Sequence, residues 1–394
     1  MGLASRRRST VRVNGREYRW PVRPLVVICL DGSSFDYIHA AITAGVAPNF
    51  SSLVASDRTS LVDAAMPTFT NPNNVSIITG VAPAVHGISG NYYFDARSGQ
   101  AVMMDDASFL RAETILQTFS EHGASVLAVT AKHKLKRLLR VGSSGRCLSA
   151  EEEGQTVYST ELSEYVLRRG VELVRTLKPD LAYLSTSDYV QHACAPGAAE
   201  ANRFYAVVDE YLGIFNEMGV TLVTTADHGM SAKTDPCGRA RIVFLQDLVN
   251  DWFGEDAATV ILPITDPYVA HHAALGSFAT IYFADPRQVS PCISRLSTLS
   301  GVELALERAD AAARFDLPDD RLGDIVVCAT HDTVLGRTGR EHDLSVLNGP
   351  LRSHGGLAER EVPMFFNREL VGDRRTRLRN YDAFWVGLNG LRDE

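Results

Sequence analysis

The sequence predicts an α/β fold: a largely parallel central sheet flanked by helices, with a small α+β insertion set over it as a cap. Three observations carry this. Residues 24–30, 125–130, 181–188 and 220–226 are strand-like runs, apolar enough to be buried on both faces as in a parallel sheet. Stretches of helical spacing at 35–44, 113–122, 161–177 and 202–218 alternate with them. From about residue 256 the texture changes: 259–264, 278–283, 302–306 and 325–328 are strand-like, and 289–299 and 309–315 are helical. The chain therefore divides into a first part of the core at 1–255, a cap insertion at 256–340 and a return to the core at 341–394.

Composition bounds what such a chain does. Its 394 residues suffice for a large core and one or two domains. A hydrophobic share of 45% and a charged share of 22% are ordinary globular usage. The net charge of −8 argues against a general nucleic-acid binder but leaves room for a locally positive pocket. No apolar run is long enough to cross a membrane, so neither nucleic acid nor membrane is expected as a partner. The N-terminus is basic without a following apolar core, unlike a secretory signal, and Arg6 stands where a myristoylation motif wants Ser or Thr. Cys29, Cys147, Cys194, Cys237, Cys292 and Cys328 are scattered and form no CxxC pair, as expected of reduced thiols in a cytoplasmic protein.

Taken in order, 10–20 reads as a hairpin at an edge, turning at Asn14-Gly15. The strand at 24–30 ends in Asp31-Gly32, and open α/β sheets place their sites at such strand ends. Met66 to Gly80 reads as a loop opening a short helix, with Pro72 in its first turn, Thr70 in the cap position and Gly80 as its stop. A hydroxyl there lies beside free N–H groups and the positive end of the helix dipole, a ready site for phosphate. The plain alternative is a threonine that only caps.

The strand at 125–130 delivers Lys132, His133 and Lys134. Two apart on an extended segment, Lys132 and Lys134 would point the same way. Taken with Lys136 and Arg137, their ordinary fate is a solvated basic patch. Residues 141–157, rich in Gly, Ser and Glu, read as a surface loop. Asp188 and His192, four apart, share a face if a helix starts directly after the third strand. Asp227-His228 falls where the fourth strand bends into a loop, with Gly229 allowing a sharp turn. Past the insertion, Arg352-Ser353-His354-Gly355-Gly356 presents another histidine in a glycine-rich loop.

Asp31, Thr70, Asp188, His192, Asp227, His228 and His354 make a set of carboxylates, imidazoles and one hydroxyl, donors that suit zinc. Singly each is ordinary: an Asp at a strand end caps a turn, and a loop histidine is common. Together they are far more specific, because every one falls at a strand end or in a glycine-rich loop. His271, His272, His331 and His342 lack such a setting and are read as core or surface residues.

The order Asp31, Thr70-x-Pro-Asn, His86-Gly-Ile, Asn91, Asp188-x-x-x-His192, Asp227-His228-Gly-Met and His354-Gly resembles the alkaline phosphatase superfamily, and within it the nucleotide pyrophosphatase/phosphodiesterase branch. The resemblance runs from about residue 24 to 360. The NGREYRWP start and Lys132-x-Lys134 further resemble the phosphonoacetate-hydrolysing members of that branch. The resemblance implies an alkaline-phosphatase-like core and two zinc ions, one held by Asp31, Asp227, His228 and the Thr70 oxygen, the other by Asp188, His192 and His354. It makes Thr70, rather than Thr68, the nucleophile, because Thr70 precedes x-Pro-Asn. It places Asn91 as an amide donor to phosphoryl oxygens, Lys132 and Lys134 on a substrate carboxylate, and His86 in a structural role. The implied activity is hydrolysis of the C–P bond of a small anionic phosphonate, phosphonoacetate, to acetate and phosphate through a phosphothreonine. A homodimer is compatible with it. The rival is a phosphodiesterase or nucleotide pyrophosphatase with the same metals, whose base would need an aromatic slot such as Tyr92, Tyr93 and Phe94.

Overall fold

The computed structural model describes residues 9–139, 141–265, 273–346, 349–371 and 377–392. The N-terminal stretch read for targeting signals, and His271 and His272, lie outside them. The core is a seven-stranded sheet in the order Thr59–Asp63, Glu361–Phe366, Thr221–Thr225, Leu25–Cys29, Leu181–Ser185, Val126–Thr130, Arg146–Ser149. Neighbours from Thr221–Thr225 to Arg146–Ser149 pair in parallel. Glu361–Phe366 runs against both its neighbours. The strands at the middle of this sheet are buried throughout, which is why they read as unbroken apolar runs.

Helices cover both faces. Phe35–Thr43, Glu161–Leu177 and Ala199–Glu217 lie over one apolar cluster, containing Val26, Ile28, Leu184 and Leu222. Ile115–Glu121 and Thr70–Thr79 lie over the other, containing Val27, Tyr183 and Val223. The N-terminal hairpin, Thr10–Val13 with Arg16–Arg19, is a separate two-stranded sheet packed on that second face. Its Trp20 ring lies 5.7 Å from Phe119.

The segment after residue 256 builds a second, antiparallel sheet, ordered Ala258–Ile261, Phe278–Phe283, Ile325–Ala329, Val302–Glu307. Val289–Leu296 and Arg308–Phe315 pack on it. Leu245 and Val249, from the helix Leu245–Phe253 that precedes 256, join the same apolar cluster. The cap is sewn to the core: Asn91 N donates to Pro263 O at 2.7 Å, Ser277 N to His354 O at 2.9 Å, and Arg321 Nη1 to Gly87 O at 2.6 Å. No single helix among the described residues is long and apolar enough to cross a membrane.

Two local expectations are corrected. Residues 141–157 contain the edge strand Arg146–Ser149 and are not loop alone. His133–Leu139 is a helix, so Lys132 and Lys134 do not sit on an extended segment.

Candidate active site

The parallel strands end at one rim. Asp31 follows Leu25–Cys29, Lys132 follows Val126–Thr130, Asp188 follows Leu181–Ser185, and Asp227-His228 follows Thr221–Thr225. A rim at the carboxyl ends of parallel strands is where open α/β sheets carry their sites. Gly32 has a φ of +71°, and a Cβ there would come within 2.9 Å of the Asp188 Cβ. This glycine lets the first and third strand ends approach. Gly229 is different: a Cβ there would meet only ordinary contacts, beginning at 3.5 Å, so the turn after His228 does not depend on glycine geometry.

Two triads of donor atoms form there, Asp31–Asp227–His228 and Asp188–His192–His354, each with its atoms within 4.8 Å of one another. His228 Nε2 lies 3.3 Å from Asp31 Oδ1 and 3.9 Å from Asp227 Oδ2. Asp188 Oδ2 lies 3.0 Å from His192 Nε2 and 3.7 Å from His354 Nε2. The helix Tyr189–Ala193 starts directly after Asp188 and puts His192 one turn on. All six residues are buried. The His228 and His354 rings, one from each triad, stack with centroids 3.7 Å apart.

Each imidazole is oriented by the main chain. Nδ1 of His192 bonds Arg352 O at 2.8 Å, that of His228 bonds Gly229 O at 2.9 Å, and that of His354 bonds Thr68 O at 2.8 Å. A carbonyl only accepts, so Nδ1 carries the proton and each Nε2 lone pair faces the carboxylates. This is the arrangement of metal-ligating histidines.

The electrostatics point the same way. Burial, then the nearby carboxylates of Asp188 and Asp227, push the Asp31 pKa well above the usual range. Burial raises Asp227 to about 6. Burial lowers His228, and burial together with the His228 and His192 rings holds His354 well below the usual imidazole range. Both carboxylate oxygens of Asp31 are buried and accept no hydrogen bond from the described residues. Crowded carboxylates and imidazoles aimed at two points are a donor set that divalent cations complete, and the residues present fit a dimetal site.

Thr70 opens the helix Thr70–Thr79 as its first residue, and the cap position belongs to Phe69. Its half-buried hydroxyl makes no cap bond and lies 3.3 Å from His228 Nε2. Gly80 ends the helix with φ +69°. Thr68 is fully buried, with its hydroxyl donating to Gly356 O at 2.9 Å and accepting from Gly355 N at 3.0 Å. A cavity of about 620 Å³, counting its open mouth, lies beside Thr70; Asp31, Asn91, Lys132, Lys134, Asp188 and His354 are among its lining residues. Lys132 Nζ stands 3.3 Å from Asp188 Oδ1 and 4.0 Å from Asp31 Oδ2, alongside both triads. Lys134 lines the wall although it belongs to a helix. Lys136 and Arg137 face outward and pair with Glu152 and Asp105, so the basic run divides into two cavity residues and two surface ones.

Asn91 reaches the cavity wall, but its amide is turned to the cap. Its Nδ2 donates to Ile264 O at 3.2 Å and Thr265 O at 3.0 Å, and its Oδ1 accepts from Asn71 Nδ2 at 2.6 Å. The expected donor to an anion is therefore, in this arrangement, a latch between core and cap. Tyr92, Tyr93 and Phe94 do not line the cavity; Tyr93 packs on Phe109 and Phe94 on Tyr282. His86 is buried and bonds Ser76 Oγ through Nε2 at 2.8 Å, a structural place. His331 lends its carbonyl to Lys233, and His342 bridges Ala273 and Arg337.

Sequence reasoning missed Asn74. Its Nδ2 donates to Asp227 Oδ2 and to Thr70 O, both at 2.9 Å. Its Oδ1 accepts from Tyr183 Oη at 2.6 Å and Ser185 Oγ at 2.8 Å. The available signal was the third asparagine of the stretch, one helical turn beyond Thr70. Arg352 was also missed: it orients His192 through its carbonyl, while its Nε donates to Gln191 O at 2.9 Å.

The family model described as type I phosphodiesterase / nucleotide pyrophosphatase matches residues 25–357. Phosphonoacetate hydrolase from Sinorhizobium meliloti, solved in complex with phosphonoformate, superposes with a TM-score of 0.92 at 45% identity, covering 97% of this chain and 99% of that one. The same enzyme in complex with phosphonoacetate superposes with a TM-score of 0.91. Murine ectonucleotide pyrophosphatase/phosphodiesterase 5 shares the fold, with a TM-score of 0.65 at 18% identity over 94% of this chain and 96% of its own. An uncharacterised pyrophosphatase/phosphodiesterase of Schizosaccharomyces pombe is 25% identical over 246 residues, 57% of this chain and 48% of its own length. The chain spans less than half the length of the curated relatives it matches.

Proposed function

This chain belongs to the type I phosphodiesterase / nucleotide pyrophosphatase family, a branch of the alkaline phosphatase superfamily, and from that premise we propose that it is a zinc-dependent hydrolase of the C–P bond of phosphonoacetate. The observation that carries the proposal is the placement of Lys132 and Lys134 on the wall of the same cavity as Thr70. A phosphodiester needs no pair of cations beyond its phosphoryl group, whereas phosphonoacetate brings a second anionic end. The 45% identity to a phosphonoacetate hydrolase over nearly the whole chain supports the same reading.

Asp31, Asp227, His228 and the Thr70 oxygen would hold one zinc ion, and Asp188, His192 and His354 the other. When bound, the ions supply Lewis-acid polarisation of the phosphoryl oxygens and lower the pKa of the threonine hydroxyl. The chain's own residues do the rest. The N-terminus of the helix Thr70–Thr79 aims free N–H groups and its dipole at the phosphoryl group. The Thr70 oxygen attacks phosphorus as the C–P bond breaks. The electron pair left on carbon delocalises into the neighbouring carboxylate, where Lys132 and Lys134 stabilise it, and protonation yields acetate. Water then cleaves the O–P bond of the phosphothreonine, releasing phosphate and restoring Thr70. Phe69, Leu135 and Ile264 give the cavity an apolar wall that strengthens these charge interactions.

Purified, zinc-loaded protein is expected to release phosphate and acetate in equal amounts from phosphonoacetate, and faster than it hydrolyses bis(p-nitrophenyl) phosphate. No turnover at millimolar phosphonoacetate would sink the substrate assignment. Faster diester hydrolysis would move the protein to the phosphodiesterases of its family.

A further inference from the structure

Behind the two triads lies a buried ion pair that the chemistry above does not use. Lys233 Nζ and Glu359 Oε1 are 2.8 Å apart, and both side chains are completely shielded from solvent. Lys233 follows His228 along one rim loop; Glu359 follows His354 along the other. Glu359 is fastened to both. Ser231 Oγ donates to its Oε1 at 2.5 Å and Gly356 N to its Oε2 at 3.0 Å. Gly229 N, directly after His228, donates to its main-chain oxygen at 2.8 Å. Lys233 is fastened likewise, its Nζ donating to His331 O and its main-chain N to Leu351 O, each at 2.8 Å. Between these anchors the loops pair as an antiparallel ribbon, Ser231 opposite Ser353 and Ala232 opposite Arg352.

Burying two charges is costly, and apolar side chains of similar volume usually leave stability unchanged or raise it. A fully buried pair placed here is therefore explained better by position than by stability. The loops it joins carry one histidine of each triad, and those rings stack at 3.7 Å with 6° between their planes. We propose that Lys233 and Glu359 are positioning residues that set the separation of the two metal sites by locking the His228 loop to the His354 loop. The proposal rests on the two-metal reading of the triads.

The test replaces the pair by Lys233→Met with Glu359→Leu. It reads three quantities: the thermal midpoint in EDTA, zinc retained per chain against a competing chelator, and the magnetic coupling between the ions in the cobalt(II)-loaded protein. The midpoint in EDTA is expected to stay or rise. Affinity at one site is expected to fall roughly 10–100-fold, as for other partners behind metal ligands, and the cobalt coupling to change. Wild-type zinc retention and wild-type coupling in the double variant would overturn the proposal. If the double variant does not fold, Glu359→Gln decides by the same readouts, since it keeps the side chain's volume and removes the charge that pairs with Lys233; unchanged coupling and retention there would overturn it equally. Wild-type protein that binds fewer than two ions would overturn the two-metal reading and the proposal with it, an outcome visible before any variant is made.

Discussion

Thr70 and Thr68 differ in what their hydroxyls already do. The Thr68 hydroxyl is occupied on both sides by Gly355 and Gly356, while the Thr70 hydroxyl stands at the cavity beside His228. Thr70→Ala is therefore expected to lower phosphonoacetate turnover at least roughly a thousandfold while most zinc stays bound through the remaining ligands; turnover within tenfold of wild type would remove it as nucleophile. Lys134→Met takes one charge from the cavity wall, the one proposed to meet the substrate carboxylate. Its kcat/KM for phosphonoacetate is expected to fall roughly 10–100-fold, the worth of a charged hydrogen bond, with diester hydrolysis nearly unchanged. An equal loss on both substrates would show that Lys134 acts on the site as a whole. His86 gives a pH prediction away from the metals. Burial lowers its pKa from 6.5 to about 3, so the folded state holds it neutral while the unfolded chain protonates it. The stability it lends is complete above the unfolded pKa and drains away as pH falls below about 6.5, at about 1.4 kcal/mol per pH unit. The buried carboxylates and histidines of the site titrate in the same range, so the effect is read as a difference: the unfolding free energy in EDTA of wild type minus that of His86→Gln should fall with that slope as pH drops below about 6.5.

At the scale of elements, the helix Thr70–Thr79 is tied to its neighbours by polar side chains as well as apolar ones. Asn74 holds the Asp227 carboxylate with one end of its amide and the strand Leu181–Ser185 with the other. Asn74→Leu leaves Tyr183 and Ser185 without their acceptor and is expected to cost about 1–3 kcal/mol, with weaker zinc retention, measured by urea unfolding with and without chelator. Wild-type stability would show the amide to be dispensable. This residue was hidden in the sequence for a physical reason: a hydrogen-bonded hub and a surface asparagine look alike until the strand it bonds is in place. The parallel strands were legible because burial on both faces leaves an unbroken apolar run. Thr59–Asp63 and Arg146–Ser149, at the two sheet edges, are partly exposed and mixed in character, so they carried no such run. Glu361–Phe366 contains Pro363, ordinarily a strand breaker. It fits because pairing with Thr221–Thr225 begins only at Met364, so no hydrogen bond is asked of the proline on that side. Of the two donor triads, Asp31, Asp188, Asp227 and His228 were legible from their strand-end positions, His192 from its spacing to Asp188 and His354 from its glycine-rich loop. The orientation of Asn91 was not, because it depends on carbonyls of the cap.

At the scale of the molecule, the site is assembled by residues from Asp31 to His354 and is the place where distant segments meet. Bound metal should therefore hold the whole structure together. Each occupied site contributes about 3 kcal/mol at free zinc a hundredfold above its Kd, so chelation should lower the thermal midpoint and added zinc restore it. A midpoint indifferent to EDTA would uncouple the ions from the fold. The ribbon of Ser231–Ala232 against Arg352–Ser353 has one more consequence. It brings the chain's departure toward the cap and its return from it side by side, so a segment of any length fits between them at little extra loop-closure cost. The segment between them can therefore change in length at small cost, provided that what replaces it still meets His354 O as Ser277 does and Lys233 as His331 does; within those two anchors, the cap is where this scaffold can alter which molecules reach the rim.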